Sequence, residues 1–438
     1  MNYPTAINAR IAARHASIAQ RGQLANRSGF GFLYVLCVPL AAGMATARGA
    51  SIGGYNYTGW MWIFFLASGL ISILAVKALD RQARVAFPFA PWCVWYGFLG
   101  LSLVWCRDLG PRNVQDFLQI SMPLVIAMAA SMFIETEAQL KILLRMFAVT
   151  LGLLSFSMLI GRLGLLGDLD MENATRPMGL TAALIGCVFI AGCPERLLKP
   201  LLLWGVCILF ATLTAGRMAT MVVLLLPILH PQFRGWRWRL MVLLVMAVVG
   251  TALFYTPVFQ KQFFHAGSGT LTDLFQGQIR GSGRFEAWPL ILEEAMKAPI
   301  LGHGVGTTYE FVPTVWVRMN HVHNDYLRIG FEVGVVGLVL FLCVVIWQLV
   351  ELKRQIARTT GLVQHAFVAG FLGFCVFLIT STTGNTLVNN LWFMNPLMAL
   401  VGAAYGASRF AARSSPLATA DGLQPSGPQS PQDISGNN

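Results

Sequence analysis

The sequence predicts an all-α polytopic membrane protein with about twelve transmembrane helices and a large, partly helical outer loop between helices 9 and 10. Three observations predict this fold class. Of the 438 residues, 56% are hydrophobic and only 11% are charged, whereas soluble domains carry about 25% charged residues. The mean hydropathy is +0.62. Apolar runs long enough to cross about 30 Å of hydrocarbon recur along the chain. These observations exclude a soluble enzyme.

The apolar runs define the elements in order. Residues 1–29 form a basic N-terminal tail without acidic residues, and a full-length span follows directly, so no cleaved signal peptide is expected. Nine spans are predicted in residues 30–256 and three in residues 327–407. The predicted spans are 30–47, 59–79, 87–105, 114–134, 142–161, 178–193, 197–215, 216–230, 239–256, 327–350, 366–384 and 388–407. Residues 408–438 are rich in Pro, Ser and Gly, which predicts a disordered tail.

The basic residues predict the orientation. With the N-terminus in the cytoplasm, the short inner segments hold nineteen basic residues and the short outer loops hold six. Because inner loops carry an excess of Lys and Arg, both termini are predicted to be cytoplasmic. Topology thus explains the net charge of +12, and no nucleic-acid partner is expected. The eight cysteines lie in or beside apolar runs without metal-site spacing, which is typical of small packing residues.

The outer loop, residues 257–326, is where chemistry is expected. It carries four of the seven histidines, His265, His303, His321 and His323. Its pattern predicts an amphipathic helix around 285–297, interrupted by Pro289, and then a glycine turn at 302–306. The glycines lack the strand and helix that would flank a dinucleotide-binding loop.

A cluster of ionisable residues marks the end of this loop. Helical spacing places His321, Asp325, Arg328 and Glu332 along one stripe at the start of the tenth span. Arg328 and Glu332 form an i,i+4 pair of opposite charge. A histidine exchanges protons near neutral pH, and ionisable groups at membrane depth are functional candidates. The alternative is an ion pair that only anchors the helix, beside interfacial histidines.

Three arginines are candidates for binding an anion. The run after Gly216 is too short to cross the hydrocarbon, so the eighth helix is expected to begin near Thr212–Thr214 or to dip, with Arg217 below the outer surface. A guanidinium there needs a partner such as an anionic headgroup, unless it extends to the interface. Arg284 opens the predicted loop helix, whose N-terminus favours a phosphate. Arg176 lies at the outer end of the sixth span.

One motif resembles a known family signature. His323-Asn324, nine residues, then Gly334-Val-Val-Gly337 resembles the His-Asn-x9-Gly-x-x-Gly signature of the bacterial O-antigen ligase and O-antigen polymerase superfamily. The motif ends the large loop between the ninth and tenth of twelve predicted spans, as in that family. Arg217 and Arg284 lie where the family has functional arginines. After Gly179, the Pro-Asn that often follows the family's Arg-x-x-Gly element is absent.

The resemblance implies transfer of a glycan from undecaprenyl diphosphate to an acceptor hydroxyl at the periplasmic face of the bacterial inner membrane. By analogy, Arg217 and Arg284, with Arg176, would bind the donor diphosphate, and His323 would act as general base. The expected supporting residues are His321, Asn324, Asp325, Arg328 and Glu332. No cofactor is expected, and the loop has no Asp-x-Asp pair for magnesium, which predicts a metal-independent glycosyltransferase. Membrane lipids are expected partners.

Several functions remain open at this point. In ligases of this family the acceptor is lipid A–core, whereas polymerases join carrier-linked repeats. The Asn-Asp-Tyr-Leu-Arg continuation after His323 also resembles exopolysaccharide polymerases. A transporter of the major facilitator class fits twelve spans, but the long insertion follows span nine rather than span six, without two six-helix halves. A non-catalytic scaffold leaves the arginine and histidine candidates unexplained.

Overall fold

In the residues that the computed structural model describes, the regular secondary structure is helical, apart from one two-residue antiparallel ladder between β1 (Ser51–Ile52) and β2 (Tyr55–Asn56). The structure describes residues 29–43, 51–52, 55–80, 83–106, 109–162, 171–193, 198–214, 216–232, 235–264, 266–270, 272–273, 281, 283–317 and 321–413. The predicted tails at 1–28 and 414–438 and the candidate His265 lie outside these residues.

The helices follow one another in this order: α1 Gly29–Gly43, α2 Tyr57–Leu79, α3 Ala90–Leu101, α4 Pro111–Phe133, α5 Glu137–Arg162, α6 Met171–Ile190, α7 Leu198–Leu213, α8 Arg217–Leu229, α9 Trp236–Phe254, α10 Pro257–Phe263, α11 Arg284–Ala295, α12 Thr308–Val315, α13 Asp325–Arg358, α14 Gly361–Thr380 and α15 Met394–Arg413. A short 3-10 turn, Ser102–Trp105, extends α3.

Each predicted span overlaps a helix, which confirms the all-α fold class. Five helices are long and apolar enough to cross a membrane by length and composition, namely α2, α4, α5, α13 and α14. Five other apolar segments within the described residues are shorter. The number of twelve crossings therefore stays a prediction.

Three predicted boundaries are wrong. Helix α8 begins at Arg217, as the predicted span 216–230 has it, and not near Thr212–Thr214, because the Thr214 hydroxyl donates to the Ala211 carbonyl at 2.8 Å and closes the end of α7. The other alternative, that this helix dips into the membrane, stays a prediction. Helix α6 begins at Met171, seven residues before the predicted start. The last helix begins at Met394 instead of 388 and continues to Arg413, so residues 408–413 are helical rather than part of a disordered tail.

A buried, irregular segment, Ser381–Phe393, separates α14 from α15. The predicted spans continue to 384 and resume at 388, so residues 381–384 and 388–393 are wrongly predicted as helix. The segment is rich in polar side chains, several of which are buried in the protein: Ser381, Asn385, Thr386 and Asn390. Non-helical backbone at membrane depth is tolerated where it is buried in protein. This segment packs on α4, where the Gln119 side chain donates to the Val388 carbonyl at 3.2 Å.

Small residues let α15 approach α4 closely. A Cβ at Gly402 would meet the backbone of Ala127, and one at Gly406 would meet the Ser131 carbonyl 2.8 Å away. Small residues commonly allow such approaches between membrane helices. The α4–α15 pair is therefore closely packed, and both the irregular segment and α13 contact α4.

Helix α13 is broken at Gly334, where the sequence predicts a continuous span. Gly334 has φ 65° and ψ −171°, a backbone conformation essentially restricted to glycine. The backbone groups that the break releases bind the loop before it. The Phe331 and Glu332 carbonyls accept from the amides of His303 at 3.0 Å and Gly304 at 2.7 Å, and the Val335 amide donates to Pro299 at 2.8 Å. The glycine turn at 302–306 therefore fits into the break.

Candidate active site

The loop helix α11 lies against the start of α13. It begins at Arg284 and continues through Pro289, its sixth residue, so the predicted interruption is wrong; the proline has no amide hydrogen and removes one backbone hydrogen bond from the helix interior. The Trp288 indole donates to the Val322 carbonyl at 2.7 Å. A small apolar cluster joins α11 to α12 and α13: Ala287, Ile291, Ala295, Val312, Val322 and Phe331. The loop is thus fixed beside the two histidines that flank Val322.

Asn324 decides where α13 begins. Its side-chain oxygen accepts from the Leu327 amide at 3.0 Å, which makes Asn324 the N-cap and Asp325 the first helical residue. His321 and His323 therefore precede the helix. The predicted stripe is wrong for His321, although Asp325, Arg328 and Glu332 share the helix as predicted.

His323 has an unusual backbone and a specific partner. Its φ is +55°, and it is the one non-glycine residue in the described part of the chain with positive φ. Its amide donates to Asn385 Oδ1 at 2.8 Å, and Asn385 Nδ2 lies 3.0 Å from its ring Nδ1. Such residues cluster at functional sites, where surrounding contacts hold a conformation that costs about 1–3 kcal/mol. The half-buried His323 is therefore held by a residue from the irregular segment.

His321 adds a second imidazole. Its ring contacts Tyr309 edge-on at 5.1 Å between centroids and lies 6.4 Å from the His323 ring. Tyr309 thereby connects the histidines to the buried ionic groups of α13.

Asp325 fastens the start of α13 to the irregular segment. Its carboxylate accepts from the Ser381 hydroxyl at 2.9 Å and the Thr386 amide at 2.8 Å, and its own amide donates to the Ser381 carbonyl at 2.9 Å. The residue is fully buried. These bonds fix the two segments that carry His323 and Asn385.

A buried ionic cluster, consisting of Asp116, Tyr309, Arg328 and Glu332, lies beneath the histidines. Arg328 Nε donates to Glu332 Oε1 at 3.1 Å, as the i,i+4 spacing predicts, and its Nη2 is paired with Asp116 of α4. The Tyr309 ring lies 5.2 Å from the guanidinium. Burial and the neighbouring Asp116 raise the pKa of Tyr309, so its hydroxyl stays protonated and donates to that carboxylate.

This cluster is enclosed. Arg328 is 3% exposed and Glu332 2% exposed, and the Thr308 hydroxyl donates to Glu332 Oε1. An arginine paired with two carboxylates and shielded from solvent fits the anchoring interpretation of the pair better than contact with a substrate.

The arginine candidates occupy comparable positions. Arg217 is the first residue of α8 and Arg284 the first residue of α11, both are half-buried, and each follows a glycine. The guanidinium of Arg217 lies 5.2 Å from the Phe263 ring of α10. The backbone of Arg176 lies within α6, whereas its side chain is outside the described residues.

Contacts between helices place these groups at one end of the bundle. Gly179 of α6 lies against Thr214 and Ala219, on either side of Arg217. Two residues further on, the Thr181 hydroxyl donates to the Trp392 carbonyl of the irregular segment at 2.8 Å. Since that segment also carries Asn385, the start of α8 lies at the same end as His323, where the Trp288–Val322 bond also places α11.

Residues 200–342 match the family model described as O-antigen ligase. The matched range contains Arg217, Arg284 and the whole motif from His323 to Gly337. This part of the chain is therefore similar to the O-antigen ligase family. The resemblance noted from the motif is therefore confirmed at the level of the superfamily.

A distant relative agrees with this assignment. The chain is 28% identical over 184 residues to the ComP-specific O-oligosaccharyltransferase of Acinetobacter baylyi, a match that covers 39% of this chain and 32% of the relative. The chain thus spans about a third of the length of the curated relative that it matches.

Three residues of the candidate site were not predicted from the sequence. Asp116 had a usable signal, since a carboxylate inside an apolar run is a functional candidate by default. Nothing in the sequence pattern around Tyr309 predicts a role at the site. Asn385 lies in a polar interruption between two apolar runs. This interruption could have predicted the irregular segment, but not the contact between Asn385 and His323. Within the described residues, no group of three His, Cys, Asp or Glu side chains could hold a metal; metal independence stays a prediction.

Proposed function

We propose that this protein transfers a glycan from undecaprenyl diphosphate to a sugar hydroxyl of lipid A–core at the periplasmic face of the bacterial inner membrane, with both termini in the cytoplasm. The observation that carries the proposal is the position of His323. It lies in the family motif, held by Asn385 with a left-handed backbone, at the end of the bundle where Arg217 and Arg284 begin their helices.

The chemistry needs two kinds of group. As the bond between the sugar and the diphosphate breaks, negative charge develops on the leaving group, and guanidinium groups near a low-dielectric boundary stabilise it. Helix N-termini favour anions as well, and the glycine before each helix leaves its first turn without a capping side chain. Arg217 and Arg284 therefore bind the diphosphate, with Arg176 as a third candidate, and His323 acts at the reacting atoms.

A polymerase that joins carrier-linked repeats is the second candidate. It uses the same donor and differs in the acceptor. The name of the distant relative describes transfer of an oligosaccharide, which favours glycan transfer over transport as the shared activity.

A deletion strain separates the two candidates. Loss of polymer from lipid A–core with long carrier-linked chains intact is expected for a ligase. Accumulation of single repeats identifies a polymerase instead. Unchanged glycans of both kinds contradict the proposed function, provided that expression of the wild-type gene in the parent is verified.

The variants Arg217→Lys and Arg284→Lys are expected to weaken donor binding. Lysine keeps the charge but loses the two-pronged contact with phosphate. Because hydrogen bonds to charged groups contribute about 1.5–3 kcal/mol, the apparent KM for the lipid-linked donor should rise about tenfold or more. Transfer is measured with purified protein and an undecaprenyl diphosphate glycan.

Arg237→Lys is the matched control, because Arg237 is exposed in the first turn of α9, beside Trp236. It should leave the KM unchanged. A wild-type KM in both Arg217→Lys and Arg284→Lys supports the alternative that these side chains only extend to the interface.

A further inference from the structure

We propose that Asn385 is a positioning residue that keeps the proton of the neutral His323 ring on Nε2, so that His323 donates a hydrogen bond to the donor diphosphate instead of removing a proton from the acceptor. This inference rests on the proposed function and deepens it by assigning the chemical role of the histidine.

The orientation of the Asn385 amide follows from the backbone. The His323 amide at 2.8 Å donates, so the Asn385 atom that faces it must be the carbonyl oxygen Oδ1. The other atom, Nδ2, then faces the ring Nδ1 at 3.0 Å. An amide nitrogen only donates, and therefore Nδ1 must accept. In a neutral imidazole one nitrogen carries the proton, which here is Nε2.

The opposite orientation of the Asn385 side-chain amide is unfavourable. Turning the amide over would place Nδ2 against the His323 N–H, leaving two donors facing each other. Asn385 is 6% exposed, so water does not readily replace the lost bond. The neighbouring residues are fixed by Asp325, which binds Ser381 and Thr386. Asn385 thus fixes both the backbone conformation of His323 and the tautomer of its ring.

A general base needs an imidazole nitrogen that can take up a proton. Nδ1 is occupied by Asn385, and Nε2 already carries its proton. The Nε2–H group suits an oxygen that gains negative charge, and the departing diphosphate provides one. In this step the acceptor oxygen bonds to the anomeric carbon, the bond from that carbon to the phosphate oxygen breaks, and the electron pair leaves with the diphosphate. The acceptor proton passes to water.

Two substitutions of His323 distinguish the roles. His323→Ala removes the donor and should lower the rate of transfer by about 10²–10³-fold. His323→Gln supplies an N–H donor but cannot serve as a base, so it should keep transfer at least about tenfold above the alanine variant. Equal loss in both variants, with both folded as judged by thermal unfolding, overturns the donor role.

The tautomer is measured without any substrate. In protein with 15N-labelled histidine, studied well above the titration midpoint of the ring, the nitrogen shifts and couplings show which nitrogen carries the proton, and His323→Gln identifies the signals. Wild type should show the proton on Nε2. Asn385→Asp, whose carboxylate accepts from both the amide and the ring, should move it to Nδ1. A wild-type proton on Nδ1, or no change in Asn385→Asp, overturns the proposal even if glycan transfer is established.

Discussion

Replacing Arg328 by methionine should lower the free energy of unfolding by about 3–5 kcal/mol. The substitution keeps most of the side-chain volume but leaves the carboxylates of Asp116 and Glu332 buried without a cation. Removal of one partner from a buried ion pair is costly because the remaining charge can neither reach water nor find a new partner. The measurement is reversible unfolding of the detergent-solubilised protein.

The matched control lies in the same helix. Arg354 pairs with Glu351 at 3.5 Å, but its side chain is 59% exposed. Exposed pairs contribute about 0–1 kcal/mol, so Arg354→Met should change stability little. Replacing Asp116 and Glu332 by apolar residues together with Arg328 should recover much of the loss. If Arg328→Met is as stable as Arg354→Met, the cluster is not an anchor, and a role for Arg328 at the substrate becomes the better interpretation.

Gly334→Ala should destabilise the protein by at least about 1–3 kcal/mol, the cost of holding a non-glycine residue in its backbone conformation. A Cβ there also collides with the Ile300 carbonyl, and the loop residue Leu301 lies close behind it. Because residues 299–304 bind the break in α13, their displacement should reduce glycan transfer as well. Thermal unfolding and transfer are both measured.

Gly330→Ala is the control for this effect, one turn earlier in α13. Apart from the helix's own backbone, no heavy atom of the described residues lies within 4 Å of a Cβ at that position, and the backbone is helical. Alanine in a helix interior is favoured over glycine by about 0.5–1 kcal/mol, so this variant should be as stable as wild type or slightly more so. If both alanine variants behave alike, the break does not depend on the glycine.

Parts of this site were predictable from sequence because they are local. The Arg328–Glu332 pair follows from helical spacing, and Arg284 was expected to open the loop helix, as it does. The turn at 302–306 was expected from its glycines, and all three have positive φ. In contrast, His321 was assigned to the helix because periodicity does not show that Asn324 caps it.

The sequence by itself determined that the chain consists of apolar helices and that four of its seven histidines lie in one loop. This was possible because burial in lipid selects a composition and a periodicity that can be counted along the chain. Only the tertiary structure decided which distant residues meet. Asp116 lies 212 positions from Arg328, and Asn385 lies 62 from His323. A hydrogen bond depends on distances of about 3 Å and on which atom donates, and neither quantity is encoded in the local pattern of the chain.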